Sequence, residues 1–335
     1  MANGQEVVVQ PFRRFLSAAS VRLVSRRPQL VNFGDRVFYN LARLFALSVI
    51  LLAFALLLEL IRGSWEAIHR FGLGFLVGTT WDPVTQQFST LPTIIGTLVK
   101  AIIALVLAVP ISIGSAIFLA LYAPAWTRTP LSYLVELLAA IPSVIFGLWG
   151  LFIMVPVVRV FQIWLKAHFG WFPLFSGPAV YGVGVLSGGI ILAIMITPII
   201  TAISRDLIRA VPRTQIEAML ALGSTKWEAI WHAVLPYSRT GLIGAVFLGL
   251  GRAIGETMAV TMVGGNSFSM IKSLFDPVHS MASQIASEFA EATYSLYVSS
   301  LIYVGLVLFC ITIIITVLAQ FLIWRISKGR IGILD

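Results

Sequence analysis

Residues 217–236 read EAMLALGSTKWEAIWHAVLP, and residues 237–260 continue YSRTGLIGAVFLGLGRAIGETMAV. The first stretch predicts two short helices around a glycine. Pro212 and Thr214 stand at the start of the first helix, where proline suits an opening turn. Gly223 closes it as a glycine cap. Thr225 and Glu228 form a T-x-x-E capping box that opens the second helix, and Pro236 is expected to end it. Met219, Leu220, Leu222, Trp227, Ile230, Trp231 and Val234 are too many apolar side chains for so small a unit to hide. Arg205, Arg209, Arg213, Lys226 and Arg239 flank or stud it, which argues against entry into a bilayer. Two readings are open: a surface that docks on another protein, or an interfacial helix lying on lipid headgroups.

The surrounding chain is a membrane chain. Of 335 residues, 59% are hydrophobic and 11% charged, with a mean hydropathy of +0.95. Too few polar residues are present to cover a soluble domain. The lone Cys310 lies in an apolar run and allows no intrachain disulfide. A helix needs about 20 residues to cross a hydrocarbon core of about 30 Å. Six runs are long enough, near 38–61, 94–122, 137–157, 179–204, 240–264 and 296–324. The expected fold is all-α and polytopic, with six transmembrane helices. Pro110 and Pro198 fall inside spans, where neighbouring helices tolerate a kink.

The expected organisation is a basic tail (1–36), a first span with its external loop (37–93), a core of five spans (94–325) that contains the hairpin 205–239, and a short tail (326–335). The first apolar run begins only near Val37, after a basic segment, and is long enough to remain a span rather than a cleaved leader. The tail carries Arg13, Arg14, Arg22, Arg26, Arg27 and Arg36 among apolar residues and reads as a segment resting on anionic lipid. Lys and Arg number 16 on the side of the tails and hairpin and five on the other, with Lys100 and Arg252 inside spans. That bias puts both termini and the hairpin in the cytoplasm. It also explains the formal charge of +9 without a nucleic-acid partner.

The chemistry is expected in the fifth span. Arg252 and Glu256 lie near its middle, four residues apart, which puts them on one helical face where they can pair. Either they form a structural ion pair or they line a pathway. A guanidinium binds oxyanions through two parallel hydrogen bonds and stays charged at physiological pH. An anion could displace Glu256 from Arg252 and leave as the pair re-forms. Thr257 and Thr261 add hydroxyls. Gly251 and Gly255 form a G-x-x-x-G step suited to a close helix crossing. In the last external loop Met281, Ile285 and Phe289 recur every four residues, which predicts a short amphipathic helix. Trp65, Trp81, Phe71, Trp164, Trp171 and Phe172 mark the outer loops as an aromatic belt or a partner contact. No phosphate-binding G-x-x-x-x-G-K-[ST] loop, H-E-x-x-H or cysteine cluster occurs. His69, His168, His232 and His279 are scattered, and an enzyme has no support.

The hairpin resembles the EAA motif of ABC importer permeases. Glu217, Ala218, Gly223, Leu235 and Pro236 fall in its places, while Met219 and Ala233 depart from it. AISRDLIRAVP (202–212), IPSVIFGLWG (141–150), GLGRAIGETMAV (249–260) and ASEFAEA (286–292) are similar to the C-type permease subunits of phosphate-specific ABC importers, over roughly residues 35 to 325. The resemblance implies a type I importer fold in the inner (cytoplasmic) membrane. It implies that the hairpin is a coupling helix seated in a groove of an ATP-hydrolysing subunit, which binds the ATP, so that this chain has no cofactor of its own. It further implies a homologous A-type permease partner, an extracytoplasmic phosphate-binding protein, phosphate as substrate, and a part for Arg252 and Glu256 in its passage. Three alternatives stay open: another oxyanion as substrate, an ion-coupled carrier with Glu256 as its proton site, and a structural scaffold.

Overall fold

The computed structural model describes residues 33–177 and 181–328. Most of the basic tail and the last residues of the chain lie outside that range. The helices, in chain order, are α1 (Phe33–Gly63), α2 (Trp65–Phe71), α3 (Gly74–Val77), α4 (Leu91–Ile117), α5 (Ala125–Ala140), α6 (Ser143–Trp149) and α7 (Val155–Phe169). They continue with α8 (Val185–Arg209), α9 (Arg213–Ala221), α10 (Lys226–Ala229), α11 (Leu235–Gly255), α12 (Met258–Val263), α13 (Met281–Glu288) and α14 (Ser295–Lys328). Five-residue π-helical stretches extend α4 and join α6 to α7 and α10 to α11. Among the described residues the only strand-like pairing is a single bridge between Asp82 and Gln87.

Among the described residues six stretches are long and apolar enough to cross a membrane: Gly34–Gly63, Leu91–Tyr122, Ser143–Phe169, Val185–Arg209, Lys226–Gly255 and Ser295–Ile326. The protein is therefore a multi-pass, all-α membrane protein. It divides into two units, one ending at Leu56 and the other beginning at Leu57. In the first unit α1 exposes Phe45, Leu51 and Phe54, as a lipid-facing helix does.

The second unit is built around α8, the most buried span, at 61% of its apolar window. It packs against α4, α11, α12 and α5. Small residues set that closeness. Ala101, Ala104 and Ala108 form a fully buried stripe on α4. A Cβ added to Gly189 of α8 would stand 2.5 Å from the Ile103 side chain, and one added to Gly249 of α11 would stand 2.7 Å from Ile200. Without a hydrophobic drive between helices in lipid, such close van der Waals packing is what holds them. Ser112 donates a hydrogen bond to Thr197 O, 3.1 Å away, tying α4 to α8.

Two expected spans are displaced, one by a helix break and one by a helix that runs on through a proline. The apolar run 137–157 is cut at Ile141–Pro142, both in extended conformation, because the ring of Pro142 disfavours a helical Ile141. The third crossing is therefore Ser143–Phe169, and much of the expected outer loop 159–178 is helix. The fifth crossing starts earlier than residue 240 because Pro236 does not end a helix. The π-helical stretch Ile230–Val234 precedes it, and the Leu235 amide donates to Ile230 O, five residues back. That widened turn moves the chain past the point where a proline ring would clash with an α-helical carbonyl.

Candidate functional site: the broken fifth span and the hairpin

The fifth crossing is discontinuous at the residues expected to carry chemistry. α11 ends at Gly255, and Glu256 is extended, with φ −70° and ψ 126°. The helix resumes at Met258. The break therefore falls immediately after Glu256, which closes α11 as its cap. Among the described residues Arg252 takes part in no ion pair. It opens instead onto a groove of about 570 Å³ between α11 and α14, beside Thr312, Thr316 and Gln320. Glu256 Oε1 accepts a hydrogen bond from the Ala259 amide at 3.4 Å, at the start of α12. Thr257 Oγ1 donates to Gly255 O at 3.3 Å, and Thr261 Oγ1 to Thr257 O at 2.8 Å. Non-helical backbone at membrane depth persists only where protein covers it or where it lines a cavity. Broken spans with exposed backbone ends are recurrent ion and substrate stations.

Gly251 and Gly255 have open space where a Cβ would go. Among the described residues nothing lies within 4 Å of a Cβ at either position, and both glycines are exposed, so the glycine step is an open face of α11.

The hairpin is built as its sequence predicts, apart from its exit. Gly223 lies at φ +87°. The Gly223 amide donates to Leu220 O at 3.0 Å and the Ser224 amide to Met219 O at 3.2 Å. This double return is a Schellman motif, which needs a left-handed residue at that point. Thr225 and Glu228 cap the next helix reciprocally: the Thr225 amide donates to Glu228 Oε2 at 2.7 Å and the Glu228 amide to Thr225 Oγ1 at 3.3 Å. Ile230 and Val234 turn inward and are buried, Val234 against Ala116, Ile208 and Leu242. Leu220, Leu222, Trp227 and Trp231 stay exposed, Leu222 by 85%. Glu217 and Ala218 are also exposed. Glu217 borders a cleft of about 420 Å³ with Arg128, Arg209 and Arg213. Leu235 is half-buried and Pro236 exposed on the adjoining turn. Arg205 anchors the hairpin's base: its guanidinium lies 3.1 Å from Glu136 on α5 and 2.9 Å from Asp206.

On the opposite face the expected amphipathic helix is α13. Met281 is fully buried, and its amide donates to Thr97 Oγ1 at 2.9 Å. Trp81 is no belt residue. It is buried among Phe75, Phe88 and Tyr297, and its Nε1 donates to Glu288 Oε2 at 2.6 Å. Tyr297 donates to the same oxygen at 2.7 Å. Burial pushes the Glu288 carboxyl above the usual range, against these two hydrogen bonds. Trp65 and Trp171 are exposed.

The sequence reading passed over Lys100, on α4, as one of two cations inside spans. Its side chain is buried, with 1% of the residue exposed.

The fold, the broken span and the presented hairpin together define a transport permease. Residues 108–328 match the family described as binding-protein-dependent transport system inner membrane component, and the chain belongs to that family. Among its relatives, the phosphate transport system permease protein PstC of Pasteurella multocida is 47% identical over 88% of this chain and 93% of its own length. The PstC of Haemophilus influenzae is 46% identical over 88% and 95%. The phosphate transport system permease protein PstC 2 of Mycobacterium tuberculosis is 39% identical over 95% and 98%. Two solved structures share the fold at low identity. One is a bacterial ABC transporter involved in alginate import (TM-score 0.54, 16% identity, 87% of this chain and 99% of that one). The other is the MetNI methionine ABC transporter (TM-score 0.50, 17% identity, 71% and 94%). The family is one of transport components rather than enzymes.

Proposed function

We propose that this chain is the C-type permease subunit of an ATP-driven importer of inorganic phosphate. The observation that carries the reading is likeness to phosphate transport permeases at 46–47% identity over nearly nine tenths of the chain. The chain sits in the cytoplasmic membrane with both termini and the hairpin 205–239 inside, as the positive-charge bias argues. A separate subunit binds and hydrolyses ATP, and this chain needs no cofactor. The ATPase seats the hairpin through Leu222, Trp227 and Trp231, with Glu217, Ala218 and Gly223 setting the first helix and Leu235 and Pro236 the exit. A homologous A-type permease covers the open face at Gly251 and Gly255, and an extracytoplasmic binding protein delivers phosphate to the outer loops.

Arg252 is the anion-contacting residue of the path. Among the described residues it has no carboxylate partner to compete with phosphate oxygens, so the displacement of Glu256 envisaged from sequence is unnecessary. Glu256 and Thr257 instead shape the break beside it. Movement of the hairpin is passed to the break through α11, whose N-terminal end it adjoins. ATP-driven closure shifts the balance between inward- and outward-facing states. The test is phosphate uptake by vesicles holding the full complex, wild type against Arg252→Gln, with ATP hydrolysis followed alongside. The reading expects uptake to fall at least tenfold while the complex stays assembled. Unchanged uptake would take Arg252 off the path.

A further inference from the structure

We propose that Lys100 is a second anion-holding residue of this chain, outward of the Arg252–Thr257 break, and that it takes a small tetrahedral oxyanion of the phosphate class. The inference rests on the anion-import reading above.

Lys100 stands where four segments converge. Its Nζ donates a short hydrogen bond to Val278 O in the loop between α12 and α13. A Cβ on Gly264, at the end of α12, would lie 2.8 Å from Nζ, and one on Gly188 of α8 would lie 3.1 Å from the Lys100 stem. Larger residues at either glycine would fill the space around the amine. Among the described residues no carboxylate comes within ion-pair distance of it. An ammonium carries three donors, and Val278 O is the one acceptor Lys100 has among the described residues. Beside it, His279 is buried and its Nδ1 has no hydrogen-bond partner among the described residues. Burial first, and then the charge of Lys100, push that imidazole down to about 4, so the two groups are in electrostatic reach and the ring is neutral.

A lysine is a poor choice for mere packing here. Methionine would fill the volume without desolvating an amine, and intramembrane cations are otherwise paired or functional. An oxyanion supplies what the site lacks: a counter-charge, acceptors for the spare ammonium protons, and an acceptor for a neutral imidazole N–H.

The position fits a path. Gly264 directly follows α12, whose other end is Thr257. Seven residues at 1.5 Å each span roughly 10 Å. Lys100 therefore sits one short helix from the break, on the side away from the hairpin. An anion arriving there would take the place of Val278 O and loosen the outer loop from α4, before passing to Arg252.

The test uses the complete complex in vesicles with labelled inorganic phosphate and the loaded binding protein outside. Lys100→Gln keeps a donor for Val278 O and removes the charge; Lys100→Arg keeps the charge. The expected result is at least a tenfold loss of uptake for glutamine, with assembly and binding-protein-stimulated ATP hydrolysis retained, and most uptake preserved for arginine. Wild-type uptake in Lys100→Gln, equal loss in both variants, or loss of assembly in glutamine alone would assign a packing role and overturn the proposal. A wild-type complex that imports no phosphate would instead end the import reading, and this inference with it.

Discussion

Replacing Gly223 with alanine separates backbone conformation from packing at the hairpin. Gly223 lies at φ +87°, and a Cβ built there meets nothing within 4 Å. An alanine would therefore clash with no neighbour, and its whole cost is conformational. For an L-residue the left-handed region costs about 1–2 kcal/mol. That cost falls on the Schellman turn, whose two hydrogen bonds, 3.0 and 3.2 Å long, return the chain from α9 toward α10. Leu222, 85% exposed, immediately precedes the turn. A population shift of that size corresponds to a factor of about 5–30. The affinity of the ATPase subunit should weaken by up to that factor if docking needs the native turn. Asparagine tolerates the left-handed region, so Gly223→Asn should recover most of the loss. The assay is titration of the ATPase subunit onto the permease pair in nanodiscs, with thermal stability as a control. Wild-type affinity for the alanine variant, or asparagine no better than alanine, would refute the reasoning.

Two further predictions concern the outer face. His279 is 2% exposed, and its imidazole is pushed down to about 4 by burial and by Lys100. A histidine in the unfolded chain titrates near 6.5, so between about pH 6.5 and 4 the unfolded state takes up a proton that the folded state refuses. Stability should fall with acidification across that window, by about 3 kcal/mol in all; thermal unfolding at pH 7 and pH 5 should show the drop, and His279→Gln should flatten it. Glu288 has the opposite sign: burial raises its carboxyl, so its contribution is present below the unfolded value and lost as pH rises through the folded one. Glu288→Gln keeps an acceptor for Trp81 and Tyr297 without the charge, and should raise the melting temperature at pH 7 but not at pH 4; a lower melting temperature at pH 7 would count against this account.

The parts legible in the sequence are those fixed by neighbours in the chain. The Gly223 turn and the Thr225–Glu228 capping box depend on residues at most five apart, and both stand as read. Helix α13 follows from the four-residue spacing of Met281 and Ile285. Hydropathy located six crossings but not their breaks, because Ile141–Pro142 and Glu256–Thr257 sit inside apolar windows. Pro236 misled because a π turn absorbs it, and nothing in the local pattern distinguishes a proline that stops a helix from one so accommodated. The pairing of Arg252 with Glu256 followed from their spacing, but in the fold Glu256 caps the break and Arg252 borders the groove between α11 and α14. Lys100 was visible as an oddity, but its meaning rests on Val278, 178 residues away, on Gly188 of α8 and on Gly264 just after α12. Trp81 likewise reads as an interfacial residue until Glu288, 207 residues on, accepts its N–H.

The most direct test of the central claim is transport itself. Vesicles would hold this chain, its A-type partner and the ATPase, with ATP inside and phosphate-loaded binding protein outside. Labelled phosphate should accumulate only with ATP, should persist when the proton gradient is collapsed, and should not yield to excess sulfate or molybdate. Accumulation without the ATPase under an imposed pH gradient would contradict the account and make the chain a carrier.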